Sequence, residues 1–168
     1  YYDATGAEDL AARPVEDLYG AVLAHWKMAQ QRRPGTPLIR VYNPHYENHG
    51  WQSTHTVVEI VTDEMPFLVD SLSTNQLSPA SPLHLNLHPM MFMQRDAGGQ
   101  LRGVLPNNGA QSDALPEAVM RFEITRQTDE DALAALHEAL AKVLNDVRAV
   151  VEDWGAMRTR VSEIIATI

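Results

Sequence analysis

The residues with the clearest potential for chemistry lie in one short segment, "TDEMPFLVDSLS", at residues 62–73. Two acids end a β-branched run, and Pro66 then opens an apolar pattern typical of a helix. A helix N-terminus offers free N–H groups to a carboxylate, while acidic side chains attract an ammonium group. The segment therefore predicts a corner that binds a small zwitterion, formed by Asp63, Glu64, Met65, Pro66, Phe67, Asp70 and Ser71.

The same corner has a structural interpretation. Asp63 would cap the helix, while Phe67 and Leu68 would pack into the core. A helix terminus contributes roughly 0.3–1 kcal/mol to a bound anion, whereas millimolar binding needs about 4 kcal/mol. These magnitudes favour the structural interpretation, because the sequence does not identify further groups that would converge on a ligand.

Other reactive side chains are poorly arranged for catalysis or metal binding. The chain has no cysteine. His84 and His88 share one face of a predicted strand, roughly 13 Å apart at about 3.4 Å per residue, too far to share one zinc ion. No Gly-x-Gly-x-x-Gly motif follows a strand, so the dinucleotide-binding fingerprint is absent. We expect no catalytic residue, no NAD-binding site and no metal site within these 168 residues.

Composition narrows the class of protein further. With 45% apolar residues, 168 residues can build one sizeable core. The net charge of -9 argues against binding to nucleic acid or to an anionic membrane surface. No apolar run approaches the roughly 20 residues that span a bilayer. The absence of cysteine is typical of a reducing compartment, so we expect a cytoplasmic protein. Because no initiator methionine is present, we also expect a piece of a longer chain.

The apolar pattern predicts an alternation of strands and helices. Residues 14–33 and 66–77 read as helices, the second with Phe67, Leu68, Leu72 and Leu77 as its buried side. Predicted strands lie at 38–43, 54–61, 83–88, 90–95 and 101–105, and loops at 44–53 and 106–116. Residues 118–125 read as a half-buried strand, with Arg121 and Glu123 on the open side.

A long helix follows, capped by Thr128. Its apolar stripe runs from Leu133 to Trp154 and is the best candidate for an interaction surface. The alternative is burial against the domain's own sheet, and a helix of this length can do both by extending past a small sheet. Gly155 would interrupt the helix before a last helical piece.

The order strand, helix, strand, strand, helix from residue 54 predicts an α+β, ferredoxin-like fold. Its sheet would be mainly antiparallel, with helices on one face, an N-terminal helix and a C-terminal helical extension. The strand at 38–43 is a candidate for the vacant edge of that sheet. We predict a lead-in at 1–35, the α+β domain at 36–152 and an extension at 153–168 toward a following domain.

"VVEIVTDEMPFLVDSLS" resembles the first strand, loop and helix of ACT domains, small regulatory modules that often bind amino acids. With "GWQSTH" before it, "LHLNLHPM" after it, and the upstream "VEDLYGAVLAHWKMAQQRRPG" and "VYNPHYENHGW", the match is closer to one family. Residues 14–95 are similar to the N-terminal ACT-containing region of the large bacterial NAD-specific glutamate dehydrogenases.

This resemblance implies a parent enzyme that converts L-glutamate, NAD and water to 2-oxoglutarate, ammonia and NADH, with catalysis and NAD binding elsewhere in that parent. It also implies other domains and subunits of the parent as partners, together with a small amino-acid effector. ACT corners often carry Pro-Gly, whereas this chain has Pro66-Phe67, which weakens the ligand-binding interpretation. The alternative is an architectural module that binds no small ligand.

Overall fold

A six-stranded antiparallel sheet forms the centre of the structure, a computed structural model that describes residues 1–2, 6–73, 82–106 and 113–166. The strands are β1 (Leu38–Tyr42), β2 (Thr56–Asp63), β3 (Leu83–Leu87), β4 (Met90–Arg95), β5 (Leu101–Leu105) and β6 (Leu115–Ile124). The helices are α1 (Ala7–Ala11), α2 (Val15–Ala29), α3 (Tyr46–His49), α4 (Leu68–Leu72) and α5 (Glu130–Ala166). The predicted α+β class is confirmed.

The strand order is β1-β2-β6-β4-β5, and β3 also pairs with β6. A ferredoxin-like unit needs one more strand after its second helix to complete its sheet. Here β1 lies antiparallel to β2 at that edge, with Leu38 opposite Val61 and Tyr42 opposite Val57. The conjecture that the strand near residue 40 fills the vacant edge is therefore confirmed.

One face of the sheet carries the main apolar core. Val58 and Ile60 of β2 and Phe122 of β6 are fully buried there, because α4 and α5 cover them. Leu140 and Leu144 are the residues of α5 that pack deepest against this face. The predicted arrangement of two helices on one side of the sheet is confirmed. The central position of β2 is confirmed as well, since its burial extends over both faces.

The opposite face is covered by α2, and it combines two small apolar clusters with buried charged side chains. Arg121 and Glu123 of β6 are 2% and 0% exposed, so the prediction of a half-buried strand with these two side chains open to solvent is wrong. The periodicity of β6 marks its apolar face correctly. The periodicity does not reveal that Glu117 and Glu123 on the other face are buried. Their burial is possible because Arg32 and Arg13, which are distant in the chain, neutralise them.

Helix α5 is one continuous helix of 37 residues, about 55 Å long at 1.5 Å per residue. Gly155 does not interrupt it, because a single glycine costs a helix only about 1 kcal/mol. Its start is capped by Asp129 rather than by Thr128, since the Asp129 Oδ1 accepts the N–H of Asp131 at 3.0 Å. The helix also crosses residue 152 unbroken, and the division into domains stays a prediction.

Two further predictions need correction. The loop predicted at 44–53 contains the short helix α3, which ends at Gly50 in a left-handed conformation. At the 62–73 corner, Phe67 is 65% exposed and does not pack in the core, whereas Leu68 and Leu72 are buried as predicted. The remainder of the helix predicted to residue 77, including Leu77, lies outside the described residues.

Phe67 adopts a backbone conformation that normally belongs to glycine. Its φ of 70° is the only positive value for a non-glycine residue in the described part of the chain. Left-handed backbone costs an L-residue roughly 1–2 kcal/mol because its Cβ crowds the following carbonyl. The corner thus keeps the geometry of Pro-Gly with a side chain added, and that side chain points away from the core.

This strain predicts an inverted preference between two substitutions. In ordinary helix or strand positions glycine is less stable than alanine by roughly 0.5–1 kcal/mol. At Phe67 we expect Phe67→Gly to be more stable than Phe67→Ala by about 1 kcal/mol, because only glycine relieves the positive φ. Urea unfolding of the two variants measures the difference. If alanine were the more stable residue, the corner would not hold the left-handed conformation in solution.

Candidate functional site: the corner between β2 and α4

Asp63, the last residue of β2, joins three separate elements. Its Oδ1 accepts a hydrogen bond from Arg32 Nη2 at 2.7 Å. Its Oδ2 accepts from Arg148 Nη2 of α5 at 2.6 Å and from the Gly35 N–H at 2.8 Å. The N-terminus of α4 has no side-chain cap. Asp63 therefore holds the segment after α2, the sheet and α5 together, and the predicted capping role is wrong.

Glu117 of β6 lies directly opposite Asp63 in the sheet, which places two carboxylates side by side. Such a pair is repulsive unless cations separate it. Arg32 supplies one, with its Nε donating to the Glu117 Oε2 at 3.0 Å, and Arg95 supplies the other at 2.6 Å. Arg32 and Glu117 are both almost fully buried. The corner is thus an ion network that joins the segment after α2 with β2, β4, β6 and α5, rather than an open acidic site.

The ionisation of this network follows from its contacts. Burial alone would raise the pKa of the Asp63 carboxyl, but hydrogen bonds from Arg32 and Arg148 outweigh it and hold that pKa below its usual range. Burial would also raise the pKa of the Glu117 carboxyl. The hydrogen bonds from Arg95 and Arg32 outweigh burial and lower that pKa. Both carboxylates remain ionised at neutral pH and are occupied by guanidinium groups.

Three of the seven predicted residues border a groove between α4 and α5. Phe67, Asp70 and Ser71 line its α4 side, and the cavity has a volume of about 520 Å³. The α5 side consists of Val143, Asp146, Val147 and Val150. The other four predicted residues do not line the groove. Asp63 is held in the ion network, Met65 is buried in the core, and Glu64 and Pro66 are exposed.

The groove has an apolar floor and two acidic side chains, Asp70 and Asp146, and none of its described lining residues is basic. It can therefore accept an apolar side chain or an ammonium group. A zwitterion would find no basic side chain among the described lining residues for its carboxylate. The N-terminus of the five-residue helix α4 would stabilise that carboxylate only weakly. The geometry suits protein side chains better than it suits a free amino acid.

Sequence reasoning missed the polar face beneath α2. Glu59 pairs with Arg40, while Glu123 pairs with Arg13 and Arg121. The only local signal was the placement of charged residues in otherwise apolar strands, at Glu59 and along β6. Arg121 and Glu123 lie two residues apart on one face of β6, so that pair has a local signal. Arg40 and Arg13 lie 19 and 110 residues from their partners, and no local pattern predicts those two pairs.

His25 of α2 is a second buried group that the sequence did not single out. Its Nδ1 lies 2.8 Å from the hydroxyl of Tyr1, and its exposed fraction is 1%. Burial is the largest influence and lowers the pKa of His25 to about 4; the nearby Glu59 opposes this effect and Arg121 adds to it. The imidazole is therefore neutral in the folded protein.

The buried His25 predicts an acid-dependent loss of stability. Its pKa is lower in the folded state than the ordinary 6.5, so below pH 6.5 the unfolded chain binds a proton that the folded chain does not. Stability should fall by about 1.5 kcal/mol between pH 6.5 and pH 5 from this residue alone. Urea unfolding across that range measures the loss. His25→Gln should remove this part of the slope, and the solvent-exposed His137→Gln should retain it; equal slopes in both variants would contradict the assignment.

The described residues lack two other features that would point to a function. No group of three or more His, Asp or Glu side chains there is arranged to hold a metal ion. None of the helices in the described part of the chain is both long and apolar enough to cross a membrane.

The completed antiparallel sheet, the helix pair on one face and the sharp β2–α4 corner define an ACT-like α+β module. The family model described as "Glutamate dehydrogenase, ACT1 domain" matches residues 1–140. The chain belongs to this ACT1 family of glutamate dehydrogenases, and the family resemblance seen in the sequence is confirmed.

Two curated relatives agree with this assignment. The chain is 34% identical over 165 residues to the NAD-specific glutamate dehydrogenase of Pseudomonas aeruginosa, a match that covers 98% of this chain and 10% of the relative. It is 35% identical over 160 residues to the NAD-specific glutamate dehydrogenase of Halomonas elongata, covering 95% of this chain and 10% of the relative. The chain thus spans about a tenth of the length of these relatives.

Proposed function

We propose that the chain is the ACT1 assembly and regulatory region of an NAD-dependent glutamate dehydrogenase. The parent would convert L-glutamate, NAD and water to 2-oxoglutarate, ammonia and NADH in the cytoplasm, as part of amino-acid catabolism. The family match and the names of the two relatives support this proposal. NAD binding and catalysis would lie in other parts of the parent, and this chain would contribute packing surfaces to the whole enzyme.

The observation that carries the assembly role is the exposed apolar stripe on α5. Among the described residues of α5, Val151 is the last that packs against the main core, yet the apolar residues of the helix continue. Large apolar side chains that are at least half exposed occur at Val150, Trp154, Met157, Val161, Ile164 and Ile165. Scattered exposed apolar residues are ordinary, whereas a continuous row of them marks an interaction surface.

The spacing of this row identifies the kind of partner. From Leu133 to Ile164 the apolar positions alternate by three and four residues, at 133, 136, 140, 143, 147, 150, 154, 157, 161 and 164. This is the a/d pattern with which one helix packs along another. The first half of the row covers the sheet, and the second half is free to pack. We infer that its partner is another helix of the parent polypeptide, since the relatives are about tenfold longer than this chain.

A test of the assembly role compares one variant in two contexts. In the full-length protein, Trp154→Glu should lower the melting temperature, because it places a charge in the helix–helix contact. In the isolated 168-residue chain it should have little effect, because Trp154 is 62% exposed there. Asn145→Glu, which adds the same charge at an exposed position of α5, is the matched control. Equal effects of Trp154→Glu in both contexts would count against the proposal.

The enzymatic part of the proposal has its own measurement. Glutamate-dependent NADH formation should be present in the full-length protein and absent from the isolated chain. Activity of the chain alone would overturn the placement of catalysis elsewhere in the parent.

Effector binding at the corner is the second candidate function, and the groove beside Asp70 and Asp146 is the observation in its favour. An amino-acid effector would place its ammonium group between these acids and its side chain on the valines. Isothermal titration of the full-length protein with the common amino acids tests this version. Binding that is lost in Asp146→Asn would support effector binding in the groove. The absence of heat at millimolar concentrations would rule out effector binding and favour the architectural role.

A further inference from the structure

A second cavity lies on the opposite side of the molecule from the α4–α5 groove. It has a volume of about 760 Å³ and opens where the start of α2, the segment around α3 and the end of β6 meet. Six of the side chains that line it carry most of its polar chemistry: Arg13, His45, Trp51, His55, Arg121 and Arg126. Three guanidinium groups in one cavity are unexpected in a chain with a net charge of -9.

The inner wall contains hydrogen-bond donors that lack acceptors. Arg121 is 2% exposed, and its Nη2 donates to Glu123. Its Nε and Nη1 form no well-aligned hydrogen bond to a described residue, and the nearest hydroxyls, those of Tyr1 and Tyr2, interact with the guanidinium from the protein side. Its guanidinium stacks on Trp51, 4.6 Å from the ring centroid, and the buried indole Nε1 also lacks a partner. Arginine cannot lose its proton, so these N–H groups remain donors at any ordinary pH. Buried donors without acceptors are rare in native proteins.

The charges around the cavity leave a positive excess. Arg13 and Arg121 share Glu123, and the Asp17 carboxylate accepts a hydrogen bond from the Gln52 N–H at 3.0 Å. Arg126 donates to the Ser53 carbonyl at 3.0 Å and lies 3.1 Å from the His45 Nε2. No described carboxylate forms an ion pair with it. Among the described residues, Glu123 pairs with Arg13 and Arg121, and Glu59 also acts on Arg121, whereas Arg126 at the rim has no acidic partner.

We propose that this cavity binds the carboxylate or phosphate group of a small molecule. Planar guanidinium groups match both oxyanions with paired hydrogen bonds, and a carboxylate or phosphate supplies only acceptors to donors that need them. Arg126 at the rim attracts the anion, and the stacked Arg121 and Trp51 receive it. This site is separate from the effector groove, so it stands whether or not the groove binds an amino acid.

The test titrates the 168-residue chain with sodium phosphate and, separately, sodium acetate, each exchanged against sodium chloride at constant ionic strength and pH 7. The readouts are the melting temperature and the tryptophan fluorescence of the variant Trp26→Phe/Trp154→Phe, in which Trp51 beside Arg121 is the one remaining tryptophan. We expect at least one anion to give a saturable rise of about 4 °C together with a saturable change in emission. Phosphate alone, acetate alone or both would identify the oxyanion that the site accepts.

Two variants separate the site from general charge effects. Arg126→Gln should abolish the rise while leaving the fold intact, because its side chain lies at the rim. Arg102→Gln removes the same charge from the distant β4–β5 hairpin, where Arg102 is 63% exposed and paired with Asp96, and should retain the full response. The proposal is wrong if neither anion gives a saturable response, if Arg126→Gln responds as the parent chain does, or if Arg102→Gln loses the response.

Discussion

Replacing Arg32 with alanine is expected to destabilise the chain by about 3–5 kcal/mol, the range for removing one partner of a buried ion network. The Arg32 guanidinium is fully buried and contacts Asp63, Glu117 and the Thr36 carbonyl. Without it, two carboxylates that lie opposite each other in neighbouring strands lose the cation between them. Urea unfolding of the variant at pH 7 measures the loss.

A double-variant cycle shows whether the loss comes from the network. Arg32→Met combined with Glu117→Leu removes a cation and an anion together, while Asp63 keeps Arg148 as its partner. The double variant should therefore cost less than the sum of the two single variants, by about 1–3 kcal/mol. Arg102→Ala is the exposed control and should cost less than about 1 kcal/mol. Simple additivity within about 0.5 kcal/mol would show that the contacts do not act as a unit.

Leu68→Ala is the second large effect, with an expected loss of about 2–5 kcal/mol. Leu68 is 3% exposed and packs in the core that β2, β6 and α5 share. Truncation leaves a cavity below the sharp corner, where the backbone is held by the turn and cannot close the space. Thermal or urea unfolding measures the effect.

Leu115 provides a control of the same residue type. It lies at the start of β6 and is 52% exposed, so Leu115→Ala should cost less than about 1 kcal/mol. If Leu68→Ala were as mild as Leu115→Ala, then α4 would not pack against the sheet through Leu68 and Leu72.

The sheet and its apolar face follow from periodicity, which is a local property of the chain. The β-branched run of β2, the alternation in β3 and the stripe of α5 each indicated which side chains would be buried. The placement of β1 at the open edge followed from topology, because a ferredoxin-like unit leaves one edge unpaired.

The polar face and the corner could not be predicted in the same way. Arg32 and Glu117 lie 85 residues apart, and nothing in either neighbourhood indicates the other. Asp63 had the sequence context of a helix cap, but three donors from distant segments compete for its carboxylate. Phe67 had the composition of a core residue, yet the left-handed turn directs it outward. In each case a long-range contact or a backbone constraint overrides the local preference.

The α5 stripe was predicted in part: its position follows from the sequence, but the point where it leaves the sheet does not. The sequence identified it as an interaction surface that would also cover the domain's own sheet. The structure places Leu140, Leu144 and Val147 on the sheet, whereas the large apolar side chains that it describes beyond Val151 are exposed. Helical period alone does not say where the sheet ends, so the boundary between core and free surface required the tertiary structure.

The most direct test of the central claim, that the free half of α5 is a packing surface within a larger enzyme, is amide hydrogen exchange across residues 150–165. We expect these amides to exchange rapidly in the isolated 168-residue chain, because the large apolar side chains described beyond Val151 are exposed there. In the full-length protein the same amides should be strongly protected. Equal exchange in the two contexts would contradict the account, because it would mean that nothing packs on this half of the helix.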